Sequence, residues 1–295
     1  MTAYHAGELA VQTRLGQAGI AERVGRMIRT EIPAAAAAFL LDQPMIIVAA
    51  ADDAGQVWTS LITGPPGFVR ADDAQTIAID ALPVPGDPLY NVLRQPHRQV
   101  GMIAVQPQTR RRMRVNGVAD PTDNGLLIRT DQVYSNCPKY ISRRHIEHVD
   151  TISHPPVVRR DRALDARTQQ ISAATDTFFI GSTDPAGNAD ASHRGGNPGF
   201  LQALSPTRLR WPDYRGNSMF QTLGNISANP RCGLLIPDWQ TGATIQLTGS
   251  AEIVWDGAGT GSQCAVEFSV AEVVELSGVS PLRWGSAELS PANPA

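Results

Sequence analysis

The sequence predicts a mainly β fold with peripheral helices, organised as two tandem copies of one small barrel. Residues 46–70 align without a gap on residues 178–202, at a constant offset of 132 residues from 46 to 178. Short apolar runs of strand length alternate with Gly, Pro and Asp turns in both copies. A repeat of domain size is too long for a solenoid and indicates two fused copies of one unit.

Eight residues recur within the aligned window. In the first copy they are Asp52, Ala54, Gly55, Ser60, Gly64, Pro66, Gly67 and Phe68. In the second copy they are Asp184, Ala186, Gly187, Ser192, Gly196, Pro198, Gly199 and Phe200. We therefore expect an N-terminal barrel over residues 1–150 and a C-terminal barrel over residues 151–295.

Composition agrees with two globular units. A chain of 295 residues corresponds to about two domains at roughly 100–200 residues each. A net charge of −3 without a basic tail argues against nucleic acid or an anionic membrane as the partner. No apolar run approaches the ~20 residues of a membrane span, and no signal peptide is recognisable. Three cysteines without paired spacing, Cys137, Cys232 and Cys264, favour reduced thiols in a cytoplasm.

The elements of the first copy follow from periodicity and turns. Apolar residues at helical spacing predict a helix over residues 15–30, which Pro33 ends. Strands are then predicted at 45–51, 56–63, 68–70, 76–81, 100–105, 112–119 and 126–134. Such closely spaced antiparallel strands favour a small barrel.

The second copy is entered through a connection. We expect a short helix in residues 137–144, a linker over 149–161 and a helix over 164–174. Strands are predicted at 178–183, 189–193, 200–204, 208–211, 232–237, 244–255 and 263–276. A last helix is predicted over residues 218–228.

The two copies differ at one pair of positions. The first copy holds Leu61 and Ile62 where the second holds His193 and Arg194. A duplicated frame with polar donors in one copy alone is the pattern that a single asymmetric site produces. The alternative is that Arg194 is a solvated residue at a strand end beside a turn.

A second candidate lies just before the last predicted helix. Gly216 permits unusual backbone angles, and Asn217 or Ser218 can cap the helix. Free N–H groups at a helix start bind phosphate, and Arg194 and Arg215 offer charge-assisted bonds to it. The alternative is an ordinary helix cap after a turn.

These motifs resemble a known family. The order Asp-x-Ser-x-Arg-Gly-Gly-x-Pro-Gly-Phe from residue 190, Gly-Asn at 216–217 and Asn-Pro-Arg-x-Gly-Leu-Leu from residue 229 is similar to the FMN-binding split-barrel family related to pyridoxamine 5'-phosphate oxidase. The resemblance implies two tandem split β-barrels of the FMN-binding type. It also implies that the N-terminal copy is degenerate and that the C-terminal copy binds FMN.

The resemblance implies the residues that hold the cofactor at an interface between barrels. Those assigned to the phosphate and ribityl side are Ser192, His193, Arg194, Arg215, Asn217 and Ser218, with one further polar contact from Gln221. Many relatives carry an Arg or Lys pair where this chain has Met219 and Phe220. The candidates in the facing copy are Trp58, Lys139, Tyr140 and residues 110–112, although the three arginines also suit a solvated strand end.

The implied function is an FMN-dependent oxidoreductase with a small organic substrate. FMN carries the electrons, exchanging them with NAD(P)H or O₂, and a positive group such as Lys139 would stabilise the reduced flavin. The Arg-x-His segment that binds substrate in pyridoxamine 5'-phosphate oxidase itself has no counterpart near the C-terminus. The alternatives are a flavin or haem-binding carrier or sensor on the same barrel, or two purely structural lobes. We expect a homodimer and no metal site.

Overall fold

The protein is described by a computed structural model that covers residues 4–256, 259 and 261–294. Three short helices precede the first strand, namely α1 (Ala6–Arg14), α2 (Ala18–Gly25) and α3 (Ala34–Leu41). α1 starts with a capping box in which the Glu8 carboxylate accepts the backbone N–H of His5 at 2.7 Å. The helix predicted over residues 15–30 is shorter in the structure, where only α2 forms within this range, and α1, which ends just before Gly16 with its φ of +65°, was not predicted.

Seven strands form the first sheet. They are β1 (Met45–Ala51), β2 (Val57–Thr63), β3 (Val69–Ala71), β4 (Thr76–Ile79), β5 (Arg98–Gln106), β6 (Arg111–Pro121) and β7 (Leu126–Ser135). Their order is β2-β1-β5-β6-β7-β4-β3, and all neighbours are antiparallel. A one-turn 3₁₀ helix, Pro107–Thr109, joins β5 to β6.

The connection between the copies differs from its prediction in two places. The short helix predicted in residues 137–144 is wrong, since the chain passes Pro138 and turns at Tyr140, whose φ is +69°. The predicted linker contains a strand, β9, that joins the second sheet. β8 (Ile146–Val149), β9 (Val157–Asp161) and α4 (Ala166–Ala174) follow in that order.

The second sheet has the same order as the first. Its members, with the helix that interrupts them, are β10 (Thr177–Thr183), β11 (Ala189–Gly195), β12 (Gln202–Ser205), β13 (Arg208–Tyr214), α5 (Gln221–Ala228), β14 (Arg231–Pro237), β15 (Thr244–Val254) and β16 (Ser262–Ser277). The order β11-β10-β14-β15-β16-β13-β12 matches the first sheet strand for strand, and β9 adds to β16. The last strand, β17 (Leu282–Trp284), pairs with β8. The predicted fold class, mainly β with peripheral helices, is confirmed.

Equivalent turns repeat the sequence match in atomic detail. The Asp52 carboxylate accepts the backbone N–H of Ala54 at 2.9 Å, and that of Asp184 accepts the N–H of Ala186 at 2.8 Å. Gly55 and Gly187 then adopt φ values of +73° and +90°, a region that favours glycine. The residues that are identical in the two copies are therefore largely turn residues, and both copies need the backbone geometry that these residues allow.

The two barrels pack against each other within one chain. β1 and β2 meet β10 and β14, and β5 meets β11. A methyl group at Gly181 would lie 2.6 Å from the Ala49 side chain, so the two strands approach too closely for any larger residue. The Gln246 amide donates across this interface to the carbonyl of Thr59 at 2.8 Å. The buried core around the first barrel accordingly includes Phe179 and Leu235 of the second copy.

The first N-terminal helix packs on the second barrel, whereas α3 packs on β3 of the first. α1 lies against α5, and the Gln12 side-chain amide donates to the carbonyl of Met219 at 3.0 Å. The first residues of the chain thus support the C-terminal copy. The domain division at residue 150 stays a prediction.

No helix in residues 4–256, 259 and 261–294 combines the length and the apolar character needed to cross a bilayer.

Candidate functional site

A small cavity lies where the first barrel meets the helix start of the second. Residues from β6, β11, β13 and α5 line it, together with Tyr140 from the connection. Its volume is about 80 Å³. This is well below the roughly 300–1,000 Å³ of a pocket for a whole small-molecule ligand, so the cavity has the size of an acidic group such as a phosphate.

β11 supplies one wall. Ser192 and Arg194 are two residues apart on this strand and therefore project to the same side. The Arg194 guanidinium donates to the Ser192 hydroxyl at 2.7 Å and forms an ion pair with Asp213 of β13 at 3.3 Å. Burial raises the pKa of the Asp213 carboxyl, and the positive charge of Arg194 partly counters that effect. The alternative, that Arg194 is a solvated residue at a strand end, is wrong, because only 19% of its side chain is exposed.

β6 of the first barrel supplies the opposite wall. The Arg114 guanidinium donates to the Ser192 hydroxyl and forms a buried ion pair with Asp190 at 3.2 Å. The Tyr134 hydroxyl donates to the same carboxylate at 3.1 Å, and the Gln221 side-chain oxygen accepts from Arg114 at 3.3 Å. A buried ion pair needs such extra hydrogen bonds to offset desolvation. This network joins both barrels through one guanidinium.

Arg112 is the cation with the fewest partners. Its Nη1 lies 3.1 Å from Nδ1 of His193, and the described residues offer it no carboxylate. Burial, followed by repulsion from Arg114 and Arg194, lowers the pKa of Arg112 to about 9, which leaves it charged at neutral pH. A half-buried cation without a counter-ion is costly, and an anionic ligand would stabilise it.

His193 is held in its neutral form. Burial lowers its pKa well below the ordinary value, and the nearby charges of Arg112, Arg194, Arg114 and Arg144 act in the same direction. A neutral imidazole accepts from Arg112 at Nδ1 and adds no further positive charge. We therefore assign His193 a structural hydrogen-bonding role in orienting Arg112.

The start of α5 closes the cavity. No side chain caps this helix, and Phe220 at its N-cap has a φ of +60°. Ser218 is also left-handed at +66°, and its hydroxyl donates to the Gln17 side-chain oxygen at 2.5 Å. Two strained non-glycine residues within three positions are held by contacts with the N-terminal helices. The result is a helix start whose free N–H groups face the arginines.

The donor set fits a phosphate. Three guanidinium groups face two carboxylates, and the buried Nε atoms of Arg112, Arg114 and Arg194 have no hydrogen-bond partner in the described chain. An uncapped helix start adds further donors on the third side. We call this set of three arginines and the α5 start the arginine cradle. The isoalloxazine and ribityl parts of FMN exceed its volume and need the neighbouring space at the barrel interface.

The structure brings together most of the predicted site residues. Those that line the cradle or donate into it are Ser192, His193, Arg194, Asn217, Ser218, Gln221 and Tyr140. The Tyr140 hydroxyl donates to the carbonyl of Arg215 at 2.9 Å.

Several predicted residues lie outside the cradle, among them Trp58, Lys139, Arg110, Arg111 and the Arg215 side chain. Trp58 is buried in the interface core, where its indole N–H donates to Asp52 at 3.2 Å. Lys139 and the Arg215 side chain are exposed, because the turns that carry them point their side chains to solvent. Of the three consecutive arginines, Arg112 lines the cavity and Arg110 instead pairs with Glu288 at 3.0 Å.

Sequence reasoning missed Arg114. Arg112 and Arg114 are two residues apart on a predicted strand, so they share a face of β6. That alternation was the available signal. It does not reveal Asp190 as the partner, because the contact depends on how the barrels dock.

The position related to the cradle by the repeat is filled. Ser60 and Gln246 stand at the places of Ser192 and Arg114, each at the offset of 132 residues. The Gln246 amide donates to Ser60 at 3.0 Å and to Asp87 at 2.9 Å, and the Ser60 hydroxyl donates to Asp87 at 2.5 Å. A polar network without a cation occupies this side among the described residues, although the Gln246 side-chain oxygen has no hydrogen-bond partner there.

Comparison with known proteins locates a family in the second copy. Residues 164–266, about a third of the chain, match the family model described as pyridoxamine 5'-phosphate oxidase. No curated protein sequence matches the chain.

Several solved structures share part of the fold at low identity. The HupZ protein of Group A Streptococcus is 12% identical and covers 40% of this chain and 98% of its own, with a TM-score of 0.34. An FMN-binding protein from Syntrophomonas wolfei is 8% identical and covers 36% and 81%, with a TM-score of 0.30. A Clostridium acetobutylicum protein related to general stress protein 26, of the pyridoxinephosphate oxidase family, is 12% identical and covers 35% and 81%, with a TM-score of 0.27. Likenesses this low do not bear on activity.

The matched segment contains β11, β13 and α5, the elements that carry the second-copy side of the arginine cradle. The predicted resemblance is thereby confirmed for the second copy: residues 164–266 match the family model described as pyridoxamine 5'-phosphate oxidase.

Proposed function

We propose that this protein is an FMN-dependent oxidoreductase acting on a small organic substrate, with the flavin phosphate in the arginine cradle. The observation that carries the proposal is the uncompensated positive charge of the half-buried Arg112 beside an uncapped helix start. The helix start lies in the segment that matches the pyridoxamine 5'-phosphate oxidase family model, whereas Arg112 comes from the first copy. An anion there satisfies donors that have no partner among the described residues.

The roles of the residues follow from their contacts. Arg194 and the α5 start bind the phosphate from the second barrel, and Arg112 approaches it from the first. Arg114 positions both walls, since it holds Asp190 and Ser192 together. Asn217 and Ser218 fix the loop that presents the helix start. Gln221 and Tyr140 line the cavity as polar contacts for the ribityl chain.

FMN, when bound, supplies the hydride or electron transfer, and the protein positions and electrostatically tunes it. Arg112 takes over the role predicted for Lys139, because it is half-buried and lines the cavity whereas Lys139 is exposed. A nearby buried cation stabilises an anionic reduced cofactor and makes reduction easier.

Both halves of the site come from one polypeptide, so one chain is expected to bind one flavin. A homodimer stays a prediction, and the site is complete without it. A cytoplasmic location is part of the proposal, because Cys137, Cys232 and Cys264 are unpaired thiols.

Absorption spectroscopy and mass spectrometry of the protein and of its heat-released small molecule test the proposal. We expect flavin bands and the mass of FMN at one per chain. A Soret band would instead indicate haem, and a colourless protein that does not take up added FMN would contradict the proposal. Stopped-flow reduction by NADH or NADPH, followed by reoxidation with O₂, then separates an enzyme from a carrier.

A further inference from the structure

A large cleft lies beside the arginine cradle, between α3 and the adjoining ends of β6 and β7. Its volume is about 680 Å³, within the range of sites for small organic molecules. Much of its wall is apolar, with Ala36, Phe39, Met113 and Val133 among the lining residues. We call this space the α3 cleft.

The charged groups of the α3 cleft have one sign. Its lining includes Arg29, Arg110, Arg111 and Arg112 but no Asp or Glu. Arg110 is neutralised by Glu288 at 3.0 Å. The Arg111 guanidinium lies 4.9 Å above the centre of the Phe39 ring, and within the described chain it has no carboxylate partner. Cations therefore border an apolar wall without matching anions.

The second copy contains the equivalent cleft in a different state. It lies beside α4, has a volume of about 240 Å³ and holds Arg159, Arg167 and Glu275. Glu275 pairs with Arg159 at 3.2 Å and with Arg167 at 2.6 Å. Arg167 stands where the first copy has Ala35, at the offset of 132 residues. The same fold thus gives a smaller cleft with paired charges in one copy and an open, cationic cleft in the other.

We propose that the α3 cleft binds an apolar organic acid. The hydrocarbon or aromatic part of such a ligand packs on Phe39 and Met113, where burial of apolar surface stabilises it. Its acidic group meets Arg111 and Arg29, which supply charge-assisted hydrogen bonds. A neutral molecule gains only the apolar packing and not the hydrogen bonds to the arginines. A cation is repelled by the arginines.

The α3 cleft shares two lining residues with the arginine cradle. Arg112 and Asn136 belong to both cavities. A ligand in the cleft therefore lies next to the proposed flavin. The inference itself does not depend on flavin binding, since the wall of the cleft is formed in residues 27–138 of the first copy.

The test uses the full chain, with and without flavin, and two fluorescent probes of equal shape. 1-Anilinonaphthalene-8-sulfonate carries an acidic group, whereas N-phenyl-1-naphthylamine is its neutral analogue. We expect one sulfonate probe per chain, bound at least tenfold more tightly than the neutral probe. Arg111→Gln should weaken binding of the sulfonate about fivefold or more and leave the neutral probe unaffected.

Matched variants make the test specific. Arg167→Gln removes a cation of the second cleft and should change neither affinity. Ala36→Phe fills the α3 cleft and should abolish binding of both probes, while circular dichroism and melting temperature report that the fold is kept. Equal affinity for the two probes, equal loss in Arg111→Gln and Arg167→Gln, or one-for-one displacement of the sulfonate by FMN would each overturn the proposal.

Discussion

The two barrels agree in strand order and turns and differ where each faces the interface. On one side Arg114, Arg112 and Arg194 meet at an open helix start. On the other side Gln246, Ser60 and Asp87 close on one another. The equivalent surroundings show that the frame does not itself create a ligand site. The difference lies in charge: three guanidinium groups meet on one side, whereas the other side holds a neutral amide, a hydroxyl and one carboxyl group.

The strongest way to break this comparison is to remove the cation that joins the barrels. Arg114→Met leaves Asp190 buried without its guanidinium, so we expect a loss of about 3–5 kcal/mol in the free energy of unfolding. Gln246→Met at the equivalent place removes the amide hydrogen bonds to Thr59, Ser60 and Asp87 but leaves no cation or carboxylate without its ion-pair partner, and it should cost about 1–3 kcal/mol. Urea denaturation measures both. The double change Arg114→Met with Asp190→Asn should recover part of the loss, and equal costs for the two single variants would contradict the comparison.

On the side of Gln246 and Ser60, the buried Asp87 predicts a pH dependence of stability. Burial raises the pKa of this carboxyl to about 6, while hydrogen bonds from Ser60, Leu89 and Gln246 partly oppose the shift. The fold therefore prefers the protonated acid, and stability should fall by about 3 kcal/mol as pH rises from about 4 to about 6. Asp87→Asn should flatten that part of the pH profile measured by thermal melting. Asp123→Asn in an exposed turn is the control, and a slope unchanged in Asp87→Asn would refute the assignment.

A matched pair of substitutions, at Arg194 in β11 and at the equivalent Ile62 in β2, tests whether FMN binds only on the side of the arginines. Arg194→Ala should weaken FMN binding by about 1.5–3 kcal/mol, the value of a hydrogen bond to a charged group. Ile62→Val at the equivalent position should cost about 0.5–1.5 kcal/mol of stability and leave the flavin Kd unchanged. Fluorescence titration with FMN measures the two constants. Similar losses of affinity in both variants would show that the flavin does not distinguish the copies.

The smallest expected effect concerns the support of the α5 start. Gln17→Ala removes the acceptor of the Ser218 hydroxyl, so the strained loop should become more mobile. We expect a loss of about 1 kcal/mol in FMN binding, or roughly a fivefold higher Kd. Amide exchange at residues 219–222 should accelerate in the same variant. Unchanged exchange there would show that the N-terminal helices do not support the site.

Much of the fold was accessible from the sequence, for physical reasons. Strand ends are marked by residues such as Asp52 and Gly55, whose backbone geometry is local and therefore readable. The helix predicted over residues 15–30 was too long because the helical periodicity concealed the turn at Gly16, and only α2 forms within this range. β9 was missed because its residues are exposed and its partner, β16, lies more than a hundred residues away.

The site was only partly predictable. Comparison of the copies identified Arg194, since the difference from Ile62 is a local fact of the sequence. The role of Arg114 was not predicted, because this role depends on the contact that Arg114 makes with Asp190 across the interface between the barrels. Trp58 and Lys139 were chosen for their chemistry, but their side chains lie in the core and in solvent, respectively. Local geometry is encoded locally, whereas docking of two barrels is not.

The covalent linkage of the two barrels has a consequence for how the protein varies. In a symmetric homodimer every substitution appears at both positions related by the two-fold axis, so one pocket cannot change without the other. Here a substitution in β11 does not occur in β2 as well. The two sides of the interface can therefore change their sequences independently. One half can act as rigid support while the other adjusts to a new compound, without a second gene and without any problem of pairing unlike subunits.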